Sequence, residues 1–526
     1  MADDNSPFQM TGANALISTL VANDVTACFA NPGTSEMQFV AALDAVPAMR
    51  PILCLFEGVA TGAADGYGRI AEKPACTLLH LGPGYGNGIA NLHNARRAFT
   101  PIVNVIGDHA TYHRQYDAPL NSDIATLVKP NSLWAKSADH PDEVSALAAE
   151  AVAASYGAPG GPVSLILPAD AAWLPASKEL VTIAKPVRPA PAAEQIDAVA
   201  QAIKAAKKPV LLLGGQACNA SGYRSAARIE ASGIKVYTET FVARQPRGAG
   251  VFLPARLPYF AEVAIEALDG VDLLVYVGAA MPVAFFAYPD RPSVLVPEGC
   301  ATLTLSERSE DSVAALMSLA EALGTPRQGA AQPLLIPDTV PNGRLSPKKV
   351  GLSIARHMPE GAILCDDAVT SGTGVAEATA TARPHDVLVT TGGSIGLGLP
   401  LAVGAAVAAP ERKVISLNGD GAAMYTVQAL WTMARERLDI TVVVFANHVY
   451  RILGIEMERT GAAAAAGGAG PVANRLLDLG DPKADWVSIA SGFGVHAVRC
   501  ETGEAFDAAF AAAMARPGPS FIEAAI

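Results

Sequence analysis

The chain is 526 residues long, too long for one hydrophobic core, and its length points to roughly three domains. Half of it is hydrophobic (51%), yet Gly, Pro or charge interrupts every apolar run short of the roughly 18 residues that cross a bilayer, so no membrane span is expected. A formal charge of −12 without clustered Lys and Arg argues against nucleic acid as a partner and fits an acidic surface that serves solubility.

The opening residues, with Asp3, Asp4 and Asn5, show no basic flank or apolar stretch. No secretory signal is therefore expected, and the cytoplasm is the expected compartment. Apolar β-type runs then follow at 26–30, 51–56, 75–80, 102–106 and 163–167. A proline-rich stretch at 185–191 (KPVRPAP) separates these from runs at 210–213, 235–238 and 273–277. A second, at 325–347, precedes runs at 363–365, 414–417, 441–445 and 520–524. Ala-rich helical stretches alternate with the runs, whose hydrophobicity is continuous rather than alternating, as in strands covered on both faces. The expected fold class is α/β, with three doubly wound parallel-sheet domains over residues 1–185, 192–325 and 345–526. The seven cysteines are scattered without a CxxC pair and read as buried, reduced thiols.

Ligands of such sheets bind past the carboxyl ends of the strands. Several of the turns there are rich in chemistry: Asn31-Pro32-Gly33-Thr34, Glu57-Gly58, His80-Leu81-Gly82-Pro83-Gly84 and Asn418-Gly419-Asp420-Gly421. Asn447 follows Asp420 by 27 residues, at the end of the next strand. Strand, glycine turn, helix and second strand bring a carboxylate and an amide oxygen side by side, a hard-oxygen site suited to Mg²⁺ with a diphosphate on the glycine turn. A plain surface turn is the alternative for the glycine motif taken alone. Glu57 closes an apolar strand, and a carboxyl group in such surroundings can share a proton with a weakly basic ring nitrogen. Capping of the next helix is its structural alternative.

These motifs resemble the thiamine-diphosphate (ThDP) dependent decarboxylases, which include benzoylformate decarboxylase, acetolactate synthase and pyruvate oxidase, and the resemblance spans nearly the whole chain. It implies three domains: pyrimidine-binding, central and diphosphate-binding. ThDP and Mg²⁺ are the implied cofactors, with Asp420, the Asn447 side chain and the Val449 carbonyl as metal ligands. The turn Gly419 to Ala422 and Tyr450 are further implied cofactor contacts, as are Thr370 and Ser371 within 366–371 (DDAVTS). In 392–396 (GGSIG), Ile395 is the implied wedge that bends the cofactor, and the Gly393 carbonyl the acceptor for its pyrimidine amino group. Glu57 is implied to pair with N1′ of the pyrimidine. The family usually ends the metal motif in a double Asn, whose first position here is Ala446; His448 stands where Gly is common.

His80 matches one of two catalytic histidines of benzoylformate decarboxylase, whereas the stretch 278–289 offers Phe285 and Phe286 in place of the second. Thr34 matches a hydroxyl position that binds the substrate carboxylate, or else it is a helix N-cap. His109, His113 and Arg114 follow a strand end and face either pocket or solvent, with His113 the candidate catalytic group. The Ala/Gly run at 461–470 is an active-site lid or a low-complexity linker.

The implied activity is decarboxylation of a 2-keto acid through an enamine to an aldehyde, with carboligation to a second carbonyl as the alternative. A nucleotide-binding paralogue without turnover is the reading from another class. Oxidation is disfavoured, since 211–215 (LLLGG) and 239–248 (ETFVARQPRG) hold no convincing flavin motif. Because the family binds ThDP between subunits, a homodimer is the implied minimal active unit and a homotetramer the implied assembly.

Overall fold

The computed structural model describes residues 10–462 and 470–526, so most of the Ala/Gly run at 461–470 and the acidic first residues lie outside the described residues. The chain forms two compact units. One comprises Met1–Pro186, Thr391–Pro410 and Thr426–Leu438; the other comprises Val187–Thr390, Glu411–Tyr425 and Asp439–Ile526.

The first unit is built on a six-stranded parallel sheet in the order β2-β1-β3-β4-β6-β5. Its strands are β1 (Ala27–Asn31), β2 (Arg50–Leu53), β3 (Ala75–Leu79), β4 (Ile102–Asp108), β5 (Ala135–Ser137) and β6 (Pro162–Pro168). β3, β4 and β6 are buried along their whole length, which is why their sequences are continuously apolar. Leu16, Leu20, Phe39, Val103 and Leu165 belong to the core on one side of this sheet. Helix Glu57–Ala71 packs against Gly398–Ala408 through glycines, because a Cβ on Gly66 would lie 2.1 Å from the Leu401 carbonyl oxygen and one on Gly404 only 1.8 Å from that of Ala63.

The second unit holds two sheets. The five-stranded one runs β10-β8-β7-β11-β12, all parallel. Its strands are β7 (Pro209–Leu213), β8 (Lys235–Thr238), β10 (Ala255–Arg256), β11 (Leu273–Val277) and β12 (Ala301–Ser306). The seven-stranded sheet runs β17-β18-β16-β15-β13-β14-β9. It comprises β9 (Arg244–Arg247), β13 (Ala362–Asp367), β14 (His385–Val389), β15 (Val414–Gly419), β16 (Ile440–Ala446), β17 (His496–Cys500) and β18 (Ser520–Ala525).

The architecture is α/β with parallel-dominated sheets, as the apolar runs led one to expect, with one antiparallel exception. β9 lies at the edge of its sheet and pairs antiparallel with β14. Pro246 is tolerated there because an edge strand can spare a backbone donor. The stretch 239–248, nearest to a flavin motif by sequence, thus supplies an edge strand, pinned where Arg244 meets Asp386 at 3.2 Å. All seven cysteines are free; six are buried and Cys300 is half-buried. No helix among the described residues is long and apolar enough to cross a membrane.

Candidate functional site

In the first unit the polar residues gather at the carboxyl ends of β1, β2 and β3. Glu57 is the first residue of helix Glu57–Ala71 and is only 7% exposed. Its Oε2 accepts a hydrogen bond from Asn87 Nδ2 at 3.0 Å. His80 immediately precedes helix Leu81–Ala98, whose first residue, Leu81, has a φ of +48°. Gly84 marks where these groups meet: a Cβ there would lie 3.2 Å from Glu57 Oε1 and 3.3 Å from His80 Cβ. Gly33 allows an equally close approach, since its Cβ would fall 2.2 Å from His80 Nδ1.

The His80 ring is held by residues that sequence reasoning missed. Its Nδ1 lies 2.8 Å from Glu36 Oε2 and 3.3 Å from Ser35 Oγ. Glu36 is itself buried, receives the Gly33 N–H at 2.7 Å, and accepts from the Ser35 hydroxyl at 3.0 Å. A proton on Nδ1 that is donated to Glu36 fixes the tautomer and leaves Nε2 as the other working atom of the ring. A sequence signal for Asn87 did exist: Gly84, Asn87, Gly88 and Asn91 recur at helical spacing, one face of small and amide residues.

Thr34 and His113 are placed less centrally. Thr34 opens the short turn Thr34–Glu36 with an exposed side chain, and the cap position belongs to Gly33. Its neighbour Ser35, rather than Thr34, contacts His80. His113 is exposed and tilted against His109 and Tyr116, with ring centroids 5.4 and 5.8 Å apart. Arg114 is engaged in ion pairs with Asp108 at 2.8 Å and Asp139 at 3.3 Å.

The turn carrying Gly393 and Ile395 belongs to the same unit, with Asn94 as its template. Asn94 Oδ1 accepts the N–H groups of Gly392 (3.1 Å) and Ser394 (3.3 Å), while its Nδ2 donates to the Ser394 carbonyl (2.7 Å). Gly393 has a φ of +74°, a left-handed conformation that favours glycine, and Ile395 is half-buried.

In the second unit, adjacency of β13, β15 and β16 brings three turns together. Asp367 is in register with Asn418, and Gly419 with Phe445. Thr370 and Ser371 therefore leave the sheet at the same end as the Gly419–Ala422 turn and Asn447. Asp420 is buried; its Oδ1 accepts the Gly421 N–H at 2.9 Å and its Oδ2 the His448 N–H at 2.7 Å. Burial raises the Asp420 carboxyl above its ordinary range, opposed by those backbone donors. A buried carboxylate of this kind gains from a cation beside it.

Asn447 Oδ1 caps the Val449 N–H at 3.0 Å, and Val449 is part-exposed. His448 adopts a φ of +56°, which explains why glycine is common there and costs on the order of 1 kcal/mol. The Tyr450 ring covers Gly421, where a Cβ would lie 2.3 Å from Tyr450 Cε1, whereas a Cβ on Gly419 would meet nothing within 4 Å among the described residues. A cavity of about 490 Å³ opens beside this turn, lined in part by Val449, Tyr450, Arg451 and Asn474. Among the described residues no three His, Cys, Asp or Glu cluster as a metal site. A carboxylate, an amide oxygen and a backbone carbonyl form a different, all-oxygen donor set, which suits Mg²⁺ and its retained waters.

Comparison with known proteins gives this geometry a context. Two family models match, described as the thiamine pyrophosphate enzyme N-terminal TPP binding domain over residues 10–127 and the C-terminal TPP binding domain over 367–524. A Mycobacterium tuberculosis protein provisionally designated acetolactate synthase large subunit IlvX is 49% identical over 522 residues, covering 98% of this chain and 99% of that protein. Benzoylformate decarboxylase of Pseudomonas aeruginosa is 29% identical, with 95% and 96% of the two chains covered. Among solved structures, a thiamine diphosphate-dependent 4-hydroxybenzoylformate decarboxylase of Rhodococcus jostii superposes with a TM-score of 0.84 at 25% identity, over 98% of this chain and 99% of that one.

Proposed function

The chain belongs to the thiamine pyrophosphate enzyme family, with ThDP as its cofactor, and from that premise we propose that it is a Mg²⁺-assisted lyase that removes CO₂ from a 2-keto acid and releases an aldehyde. The observation that carries the choice of reaction is the buried Glu36 holding His80 at 2.8 Å, with Glu57 next to the same glycine. That arrangement is an acid/base group fixed beside an activating carboxylate.

When bound, ThDP would supply the electron sink that decarboxylation requires. Glu57 holds the proton shared with pyrimidine N1′, and Asn87 steadies the carboxylate. The Gly393 carbonyl would accept from the pyrimidine amino group, and Ile395 would pack against the cofactor. Asp420, the Asn447 amide oxygen and the Val449 carbonyl would hold Mg²⁺, Gly419, Gly421, Ala422, Thr370 and Ser371 would face the diphosphate, and Tyr450 covers Gly421. His80, oriented by Glu36 through Nδ1, takes a proton from solvent at Nε2, donates it in a hydrogen bond to the substrate carboxylate or oxyanion, and then gives that proton to carbon. Thr34 is assigned to the substrate carboxylate, and His113 is a further candidate catalytic group.

Carboligation is the second reading. It is favoured by Phe285 and Phe286, apolar residues where a second acid/base histidine would otherwise stand, and by the designation of the M. tuberculosis relative. The family's use of a cofactor site between subunits supports Glu57 and Asp420 acting from different chains, hence a homodimer at least and a homotetramer as the assembly. Seven free cysteines fit a reducing cytoplasm.

Glu57→Gln tests the core of this reading. The variant should bind ThDP and Mg²⁺ by calorimetry yet lose turnover across a panel of 2-keto acids; undiminished CO₂ release would overturn the assignment. Acyloin as the sole product of the wild-type enzyme would transfer the function to carboligation.

A further inference from the structure

Doubly wound sheets receive phosphate-bearing ligands in the crevice past the carboxyl ends of their strands, where glycine turns let backbone N–H groups approach an anion. The five-stranded sheet has the elements of such a crevice. β7 runs into Gly214 and Gly215, and β11 into Gly278; Gly215 and Gly278 have φ of +51° and +60°. The Gly214 N–H donates to the Val277 carbonyl at 3.0 Å and the Gly278 N–H to that of Ser306 at 2.8 Å, which draws the ends of β7, β11 and β12 together.

The chain places its own carboxylate there. Glu239 directly follows β8, and its N–H donates to the Leu213 carbonyl at 2.9 Å. Glu239 Oε1 accepts the Ala280 N–H at 3.0 Å and is ion-paired with the Arg308 guanidinium, the two side chains being 19% and 21% exposed. The carboxylate also lies over the first glycine turn: a Cβ on Gly214 would meet Glu239 Cδ at 2.6 Å and the Gly278 carbonyl oxygen at 2.6 Å. Burial holds the Glu239 carboxyl above its ordinary range, with Arg308 and the Ala280 N–H working against that rise. One guanidinium and one backbone N–H on one oxygen anion is how proteins bind a phosphate oxygen.

We propose that Glu239 is a built-in anion occupying an oxyanion crevice formed by Arg308, the Ala280 N–H and the Gly214-Gly215 turn, so that the central sheet is closed to phosphate-bearing ligands and becomes a phosphate site once that carboxylate is removed. The occlusion is steric and electrostatic together, since an incoming phosphate would meet both the Glu239 atoms and their charge. The proposal stands apart from the assignment of the reaction, because no residue in it belongs to the ThDP site.

The test uses the full chain saturated with ThDP and Mg²⁺, titrated calorimetrically with inorganic phosphate and, separately, with ADP as a nucleoside diphosphate. Wild type should show no binding beyond the ThDP site, whereas Glu239→Ala should bind phosphate about ten-fold or more tightly than wild type. Adding Arg308→Ala to that variant should abolish the gain. Tighter binding of ADP than of phosphate identifies a nucleotide crevice, and equal binding a bare oxyanion site. Glu239→Ser, which clears the same space but keeps a small polar group at the position, covers the case in which Glu239→Ala fails to fold. Phosphate should raise its melting temperature above that in chloride at matched ionic strength, with no such shift in wild type. Wild type binding ADP as tightly as the variants, or neither variant gaining phosphate binding, overturns the proposal.

Discussion

Replacing Gly404 by Ala is a direct probe of how the Glu57 helix is positioned. A Cβ at Gly404 would sit 1.8 Å from the Ala63 carbonyl oxygen and 2.5 Å from the Tyr67 amide nitrogen, both backbone atoms of helix Glu57–Ala71. Real Cβ atoms essentially never come within 3.0 Å, so the helices must part by about 1.2 Å, the difference between that limit and 1.8 Å. No side chain can rotate away to relieve the contact. Overpacking of this kind costs about 3 kcal/mol, the upper end for an added methyl. For a unit of this size that corresponds to a melting temperature lower by roughly 6–12 °C.

Activity should suffer more than stability suggests. Glu57, the carboxylate proposed to activate the cofactor, opens the displaced helix, and misplacing a catalytic group by about 1 Å can cost on the order of 100-fold in rate. Scanning calorimetry and steady-state decarboxylation measure the two effects. Gly86→Ala is the control, because its Cβ meets nothing within 4 Å. A Gly404→Ala enzyme that melts within 1–2 °C of wild type at full activity, against estimates of this size, would refute the packing argument.

Two further predictions concern buried charge. His385 is buried, with Nε2 lacking a hydrogen-bond partner among the described residues, and burial pulls its pKa down to about 4, with the Arg247 cation adding to the effect. The unfolded chain, titrating near 6.5, binds the proton first, so this stability is complete above pH 6.5 and is lost as pH falls toward 4, by about 3 kcal/mol in all. His385→Phe should therefore show a flatter fall in urea midpoint between pH 7 and 4.5 than wild type, and equal falls would dismiss His385 as the cause. Asp65 accepts from Arg69 Nε at 2.8 Å and Nη2 at 2.6 Å, and from the Thr100 hydroxyl at 2.6 Å, in a pair that is 0% and 2% exposed. Asp65→Asn should cost about 3–5 kcal/mol in a thermal melt, and a loss below 1 kcal/mol would mean the cation finds adequate partners elsewhere.

Strands buried on both faces leave a continuous apolar imprint, so β3, β4, β6, β15 and β16 could be read directly from the chain. Strands with mixed exposure carry no such imprint. β12 and β17 are half-exposed sheet edges, β14 begins with the polar pair His385-Asp386, and none of them was visible as an apolar run. β9 was unreadable for a different reason: its Arg-Gln-Pro-Arg sequence becomes a strand only because β14 offers it an edge.

The candidate site divides along the same line. Glu57, His80, Asp420 and Asn447 each follow a strand end, so a local motif was enough to single them out, and the chain alone determined the family and its cofactor chemistry. Glu36 and Glu239 carry no local mark of their partners, and the helical face that marks Asn87 does not name Glu57 as its partner. Parallel pairing of β1 with β3 brings Glu36 to His80, helix Leu81–Ala98 brings Asn87 to Glu57, and the run of pairings β8-β7-β11-β12 brings Glu239 to Arg308. Only the tertiary structure could decide these contacts, because a hydrogen bond or ion pair depends on distance in space, whereas sequence patterning records only the average environment of each residue.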